Sequence, residues 1–325
     1  MNLMKPTIQK YVNDASSVYK GLNGLFLVYK PPLIPFGQVR ATVILKLANE
    51  LNNMYVRPPV KYVSIDGPTN MPLKVVVRDS YADNPLVVGP RYQNQDFRLS
   101  CTKLMDKDAS GVVICGINDG NSMIRKIRES KSTRFYKVTG KFGIATNNYF
   151  WTGKVIEKST YNHIRRGHID KLCSAMQSSH QRKMFELCGV DMQSQTAYEL
   201  ATKGLLRPLD SKIPMLYTIR CIDFSPPEFT LEIVCVNEYE MYLKTIIHDI
   251  GMQLQSTATC TNILCIQDGL FTLQDALLKK HWNLTNILNS IRFCRRILIN
   301  NEHLWNQESP TLIEHKSNTE SVENF

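Results

Sequence analysis

The sequence predicts an α+β fold, one large domain in which strands and helices interleave without the regular spacing of a doubly wound sheet. Three observations carry this. Alternating or continuous apolar runs favour strands at 22–29, 111–117, 134–142, 215–223 and 228–236. Helical spacing marks 37–54, 168–188, 194–203, 239–255 and 284–299. A chain of 325 residues with 43% hydrophobic content can bury a real core.

Residues 1–21 read as a flexible N-terminus. Lys5, Lys10 and Lys20 stand against one acid, Asp14, a weak targeting pattern that lacks arginine and any apolar signal core. The first strand stops at Pro31-Pro32. Val39, Val43, Leu45, Leu47, Leu51 and Met54 then show helical spacing. Residues 52–100 are proline-rich and polar, an elaborate connection with short strands near 59–65 and 72–79. The helix at 194–203 is closed by Gly204, with Pro208 soon after. Met215–Asp223 and Glu228–Val236 form a hairpin around Pro226-Pro227, and Thr272 with Asp275 makes a capping box. From 301 to 325 the chain carries Glu302, Glu308, Glu314, Glu320 and Glu323 with little apolar content, which predicts a disordered acidic tail. The domain proper then spans 22–300.

A net charge of +10 points to an anionic partner. The nine cysteines are odd in number and form no Cys-x-x-Cys pair, which argues against disulfides and structural zinc and suits a reducing interior. No apolar run approaches the ~20 residues a membrane span requires. His163 and His168 are wrongly spaced for one helix face, and His248 reads as a helix-surface residue. No metal site is expected.

One turn stands out. Asp106-Lys107-Asp108-Ala109-Ser110-Gly111 opens a buried-looking strand, Val112–Cys115, and is followed by Arg125, Lys126, Arg128, Lys131, Arg134, Lys137 and Lys141. An aspartate in such a basic field is a poor metal site and a candidate nucleophile beside a polyanion. The turn imitates the start of a calcium loop, but the twelfth position, which needs a bidentate glutamate, is Ile117. Read alone, it is foremost an ordinary strand-entry turn with glycine at positive φ.

Five further segments give it context: Gly24–Pro32, Arg134–Gly143, Ala197–Gly204, Tyr242–Gly251 and Asp268–Leu277. In this order, with Pro226-Pro227-Glu228-Phe229 and His281–Ile287, the chain resembles the TruB family of RNA pseudouridine synthases over roughly residues 22 to 292, most closely its animal mitochondrial type. The resemblance implies the pseudouridine synthase fold, a mixed and largely antiparallel sheet split by a catalytic cleft. It implies no cofactor, because the isomerisation involves no redox change. Bacterial members carry a small C-terminal RNA-binding PUA domain, and none is expected after residue 300.

By the same resemblance Asp106 is the catalytic aspartate, Tyr136 the tyrosine that lies against the target base, and Lys244 the cation paired to Asp106 where the family usually has arginine. Tyr242 matches a base-contacting tyrosine, and Ile263 or Leu264 a pocket-lining leucine. Lys30, Lys131, Arg134 and Lys137 are placed at the substrate RNA. The chain departs from the family pattern at Cys101, Leu104 and Lys244. The implied function is isomerisation of uridine in mitochondrial mRNA or rRNA, in the matrix, with mitochondrial RNA-processing proteins as partners. Nucleus or cytoplasm are the alternative locations. The rival functions are a catalytically weak RNA-binding assembly factor or chaperone that keeps the fold, and a tRNA T-loop modifying enzyme.

Overall fold

A computed structural model of the protein describes residues 14–54, 56, 61–80, 85–203, 205–206, 212–301 and 311–312. The chain opens with α1 (Ala15–Gly21), β1 (Gly24–Lys30) and α2 (Phe36–Asn52). A hairpin of β2 (Lys61–Asp66) and β3 (Lys74–Asp79) follows, then a short α3 (Pro85–Val88). Next come β4 (Leu99–Cys101), β5 (Ala109–Ile117), α4 (Gly120–Glu129), β6 (Arg134–Phe142), β7 (Ile144–Thr146) and β8 (Val155–Lys158). Helices α5 (Arg166–Leu187) and α6 (Gln195–Lys203) lead through β9 (Leu205–Leu206) to the hairpin β10 (Met215–Ser225) and β11 (Glu228–Val236). The remainder is α7 (Glu240–Gln253), β12 (Ala258–Asp268), β13 (Phe271–Thr272), α8 (Leu284–Asn300) and β14 (Thr311–Leu312).

The main sheet runs in the order β1-β5-β12-β6-β11-β10, with β4 on β5 and β13 on β12. Every pairing is antiparallel except β5 with β12, where Ala109, Ser110 and Gly111 face Ile263, Leu264 and Cys265 in parallel. This is the mixed, largely antiparallel sheet the sequence led us to expect. Helix α8 packs on β1, α4 on β5, α7 on β12 and α5 on β10. A continuous core of Phe26, Leu47, Ile114, Tyr136, Phe229, Ile247, Ile263 and Trp282 fills the space between. A smaller cluster of Met184, Phe185, Met215 and Val236 sits under α6. Gly111 is at a tight point between β5 and β12. Its φ is +129°, and an added Cβ would collide with the Cys265 carbonyl on β12.

Two expectations at the ends need correction. Residues 14–21 are not a flexible lead-in. Asp14 caps α1, accepting from the Ser16 and Ser17 N–H at 3.3 and 3.0 Å. Ala15 is fully buried, and Tyr19 packs on Tyr92 and donates to the Asp96 carbonyl at 2.8 Å. Residues 1–13 lie outside the described residues. At the other end, Thr311–Leu312 pairs with Leu205–Leu206 rather than standing free. The rest of 302–325, and Gly204 and Pro208 of the expected helix stop, lie outside the described residues.

Among the elements not anticipated, two bear on the site. β12, the central strand, hides its alternation behind cysteines and threonines and is broken by two register shifts. α4 was legible only as a basic run. Its buried Ile124 and Ile127 make it an amphipathic helix with Arg125 and Lys126 exposed.

Candidate active site

The segment between β4 and β5 carries Asp106, and three cations pin it. Arg128 of α4 donates from Nε to the Thr102 carbonyl at 3.0 Å and from Nη2 to the Cys101 carbonyl at 2.6 Å. Lys30, fully buried at the end of β1, donates from Nζ to the carbonyls of Pro31 at 3.3 Å, Lys107 at 3.4 Å and Ala109 at closer range. Burial lowers the Lys30 amine to about 8, against the opposing charges of Glu240, Asp108 and Asp106. Lys244, buried on α7, donates to Asp108 Oδ2 at 2.6 Å and lies 5.1 Å over the Phe150 ring. Asp106 itself is exposed, and its carboxylate makes no hydrogen bond or ion pair among the described residues.

Tyr136 lies in a second network close by. It is buried on β6, and its hydroxyl donates to Glu238 Oε1 at 2.7 Å. Glu238 also takes Arg134 Nη1 at 3.2 Å and Lys103 Nζ in a close ion pair. Lys103 Nζ is 3.1 Å from the Tyr136 hydroxyl and 5.4 Å above its ring centroid. Arg134 Nε turns to Asp268 Oδ1 at 3.1 Å, and Asp268 Oδ2 accepts from the Thr102 hydroxyl at 3.0 Å. Burial alone would raise the Glu238 carboxyl, but Arg134, Lys103 and the hydrogen bonds from Lys103 and Tyr136 outweigh it and hold it at about 2. Burial, and then Glu238, push the Tyr136 phenol well above its ordinary value.

The turn from β11 to α7 faces the loop twice, with Glu238 against Lys103 and Glu240 against Asp106. Glu240 is buried, and neither carboxylate oxygen has a hydrogen-bond partner. Burial, then the charge of Asp106, push it up to about 7, while Lys244 and Lys30 pull the other way.

Several sequence expectations change here. Lys244 pairs with Asp108, not with Asp106. The Asp108 carboxylate is buried against Lys244, whereas Asp106 is exposed to water. Lys30, expected at the RNA, spends its buried ammonium on three carbonyls. Arg134 is likewise consumed internally by Glu238 and Asp268. Lys137 follows Tyr136 on a strand, so the two side chains leave opposite faces. Lys137 is exposed on the face it shares with Leu264 and Glu232. Of the two pocket candidates, Ile263 is on the Tyr136 face, opposite Val138, and Leu264 is on the other. Lys131 sits in the turn between α4 and β6 at a φ of +47°. Tyr242 lies two residues from Lys244 on the helix, a spacing that sends the side chains apart. Its hydroxyl is 3.2 Å from His180 Nε2 on α5.

The residues that sequence reasoning missed are Lys103, Asp108, Glu238, Glu240 and Asp268. Asn237-Glu238-Tyr239-Glu240 was a visible acidic signal just before Tyr242 and Lys244, but its basic partners lie more than a hundred residues away. Among the described residues no group of three His, Cys, Asp or Glu side chains could hold a metal ion, and no helix is long and apolar enough to cross a membrane.

Comparison with known proteins places this arrangement. Residues 98–241 match the N-terminal domain of the TruB family of pseudouridylate synthases. The mitochondrial pseudouridylate synthase TRUB2 of Xenopus tropicalis is 40% identical over 291 residues, covering 86% of this chain and 88% of its own. The human TRUB2 is 37% identical over 279 residues, with 83% of each chain covered. The chain belongs to the TruB family of pseudouridylate synthases, enzymes that isomerise uridine in RNA. Its likeness runs to the TRUB2 type in particular. A solved archaeal box H/ACA Nop10–Cbf5 complex aligns with 85% of this chain and 56% of that one at 10% identity, with a TM-score of 0.42.

Proposed function

We propose that this protein converts uridine to pseudouridine in mitochondrial mRNA or rRNA, with Asp106 as the nucleophile. The observation that carries the assignment is an exposed, internally unpartnered carboxylate on a segment whose neighbours are tied down by Arg128, Lys30 and Lys244. The reaction breaks the bond from ribose C1′ to uracil N1, joins C1′ to C5, and moves one proton from C5 to N1. A stacked uridine must first be flipped out of the RNA. A carboxylate with no partner in the fold keeps its lone pairs for the sugar, and a pinned backbone holds it still while it reacts. Tyr136 then gives the detached base a wall. Lys244 works at one remove, positioning the loop through Asp108. The net charge of +10 suits an RNA substrate, and the mitochondrial location rests on the frog and human relatives that are named for it.

Asp106→Asn keeps size and hydrogen bonding but removes the attacking charge. Release of tritium from RNA labelled at uridine C5 is expected to fall below detection, with RNA binding retained. Near-normal turnover would sink the assignment of Asp106. Pseudouridine maps of cells with and without the protein are expected to differ at mitochondrial mRNA or rRNA positions. Differences confined to tRNA T-loops would overturn the substrate.

A further inference from the structure

Lys103 occupies an unusual place. Its ammonium sits 5.4 Å over the Tyr136 ring, bonds the Tyr136 hydroxyl at 3.1 Å and is ion-paired to Glu238. If the base is to lie against Tyr136, that space is already filled. Tyr136 is only 1% exposed, and the crevice at Lys103, lined also by Met105, Val112 and Arg134, leaves no room for even a water-sized sphere. Pockets that bury a small ligand usually measure roughly 300 Å³ or more. Something must therefore move before a uridine enters.

The network identifies which part. Arg134 is fixed by two carboxylates, Glu238 is wholly buried and Asp268 nearly so. Lys103 reaches Glu238 on an unbranched, rotatable stem from an irregular loop, and its side chain meets solvent. If Lys103 leaves, Glu238 keeps both Arg134 and the Tyr136 hydroxyl. Opening breaks one ion pair and one hydrogen bond at Lys103, whose side chain is already partly in solvent.

We infer that Lys103 gates the uridine pocket: in the free protein it holds the place of the base over Tyr136, and the incoming uridine displaces it. This rests on the uridine-pocket reading above. A competent state that is only partly populated weakens apparent binding by its population, so a protein without the ammonium binds uridine more tightly.

The test compares binding of a fluorescent oligouridylate with an abasic ribose-phosphate strand of the same length, by anisotropy, for the full chain and Lys103→Met. The ratio of the two affinities isolates the contribution of the base. The variant is expected to raise that ratio about three- to tenfold over the parent. An unchanged ratio with both strands weakened alike would show a phosphate contact, and a lowered ratio a direct base contact. Either overturns the gate. If neither protein prefers oligouridylate to the abasic strand, the pocket itself is misassigned and the gate falls with it. Lys103→Gln, equally uncharged but polar, is measured beside it, and thermal unfolding selects the variant that folds.

Discussion

At the scale of the residue, the site is governed by which acid each lysine serves. Lys244 and Asp108 are both buried and bonded at 2.6 Å, and the second oxygen of Asp108 has no partner. Removing one member of such a pair strands the other charge, at about 3–5 kcal/mol, whereas replacing both with apolar residues costs much less. Lys244→Met is therefore expected to destabilise the protein by roughly that amount, and Lys244→Met with Asp108→Leu to recover most of it. A double-mutant cycle on urea unfolding that coupled Lys244 to Asp106 instead would overturn the pairing. Glu240 supplies a pH signature. Its carboxyl is raised from 4.5 to about 7, so its favourable contribution is complete below 4.5 and is lost as pH rises through about 7. Glu240→Gln keeps the neutral form at every pH. It should be more stable than the parent at pH 8, by roughly 1–2 kcal/mol, with the gap closing towards pH 5. Equal gaps in melting temperature at both pH values would show that Glu240 does not titrate in this range.

At the scale of the element, the decisive joint is the parallel pairing of β5 with β12, which sets where the Asp106 segment enters the sheet. Gly111 permits it, because a Cβ there meets the Cys265 backbone and the positive φ disfavours other residues. Gly111→Ala is expected to cost about 2–4 kcal/mol and to lower turnover more than RNA binding. Chemical unfolding matching the parent would show that β12 gives way easily. This joint was half legible. The Asp-Ser-Gly turn chemistry announced a strand entry, but its partner strand was invisible. β12 alternates Ala258, Cys260, Ile263 and Cys265 across two register shifts, so the period of two that marks a strand is broken where it mattered. α4 went unread for a related reason. Its two buried isoleucines are too few to show a helical stripe among so many charges.

At the scale of the whole molecule, the basic charge divides into two uses. Lys30, Lys103, Arg128, Arg134 and Lys244 are spent inside, on carbonyls and carboxylates of the site. Arg125 and Lys126 stand exposed on α4, the same helix that holds the Asp106 loop through Arg128. Replacing both with alanine should flatten the dependence of log affinity on log salt by roughly 1–1.5 for single-stranded RNA, while Lys137→Ala should leave it unchanged. The opposite result would put the RNA on the Lys137 face of the sheet.

The sequence by itself determined the fold class, most of the strands and helices, and the family. Those follow from local periodicity, turn chemistry and the order of short motifs, all of which are properties of neighbours along the chain. Only the tertiary structure decided the pairing of charges. Lys244 found Asp108 rather than Asp106, Arg134 turned inward to Glu238 and Asp268, and Lys103 reached across to Glu238 and over Tyr136. The physical reason is that an ion pair is settled by distance and burial between groups up to 136 residues apart, and neither quantity is written into the local sequence.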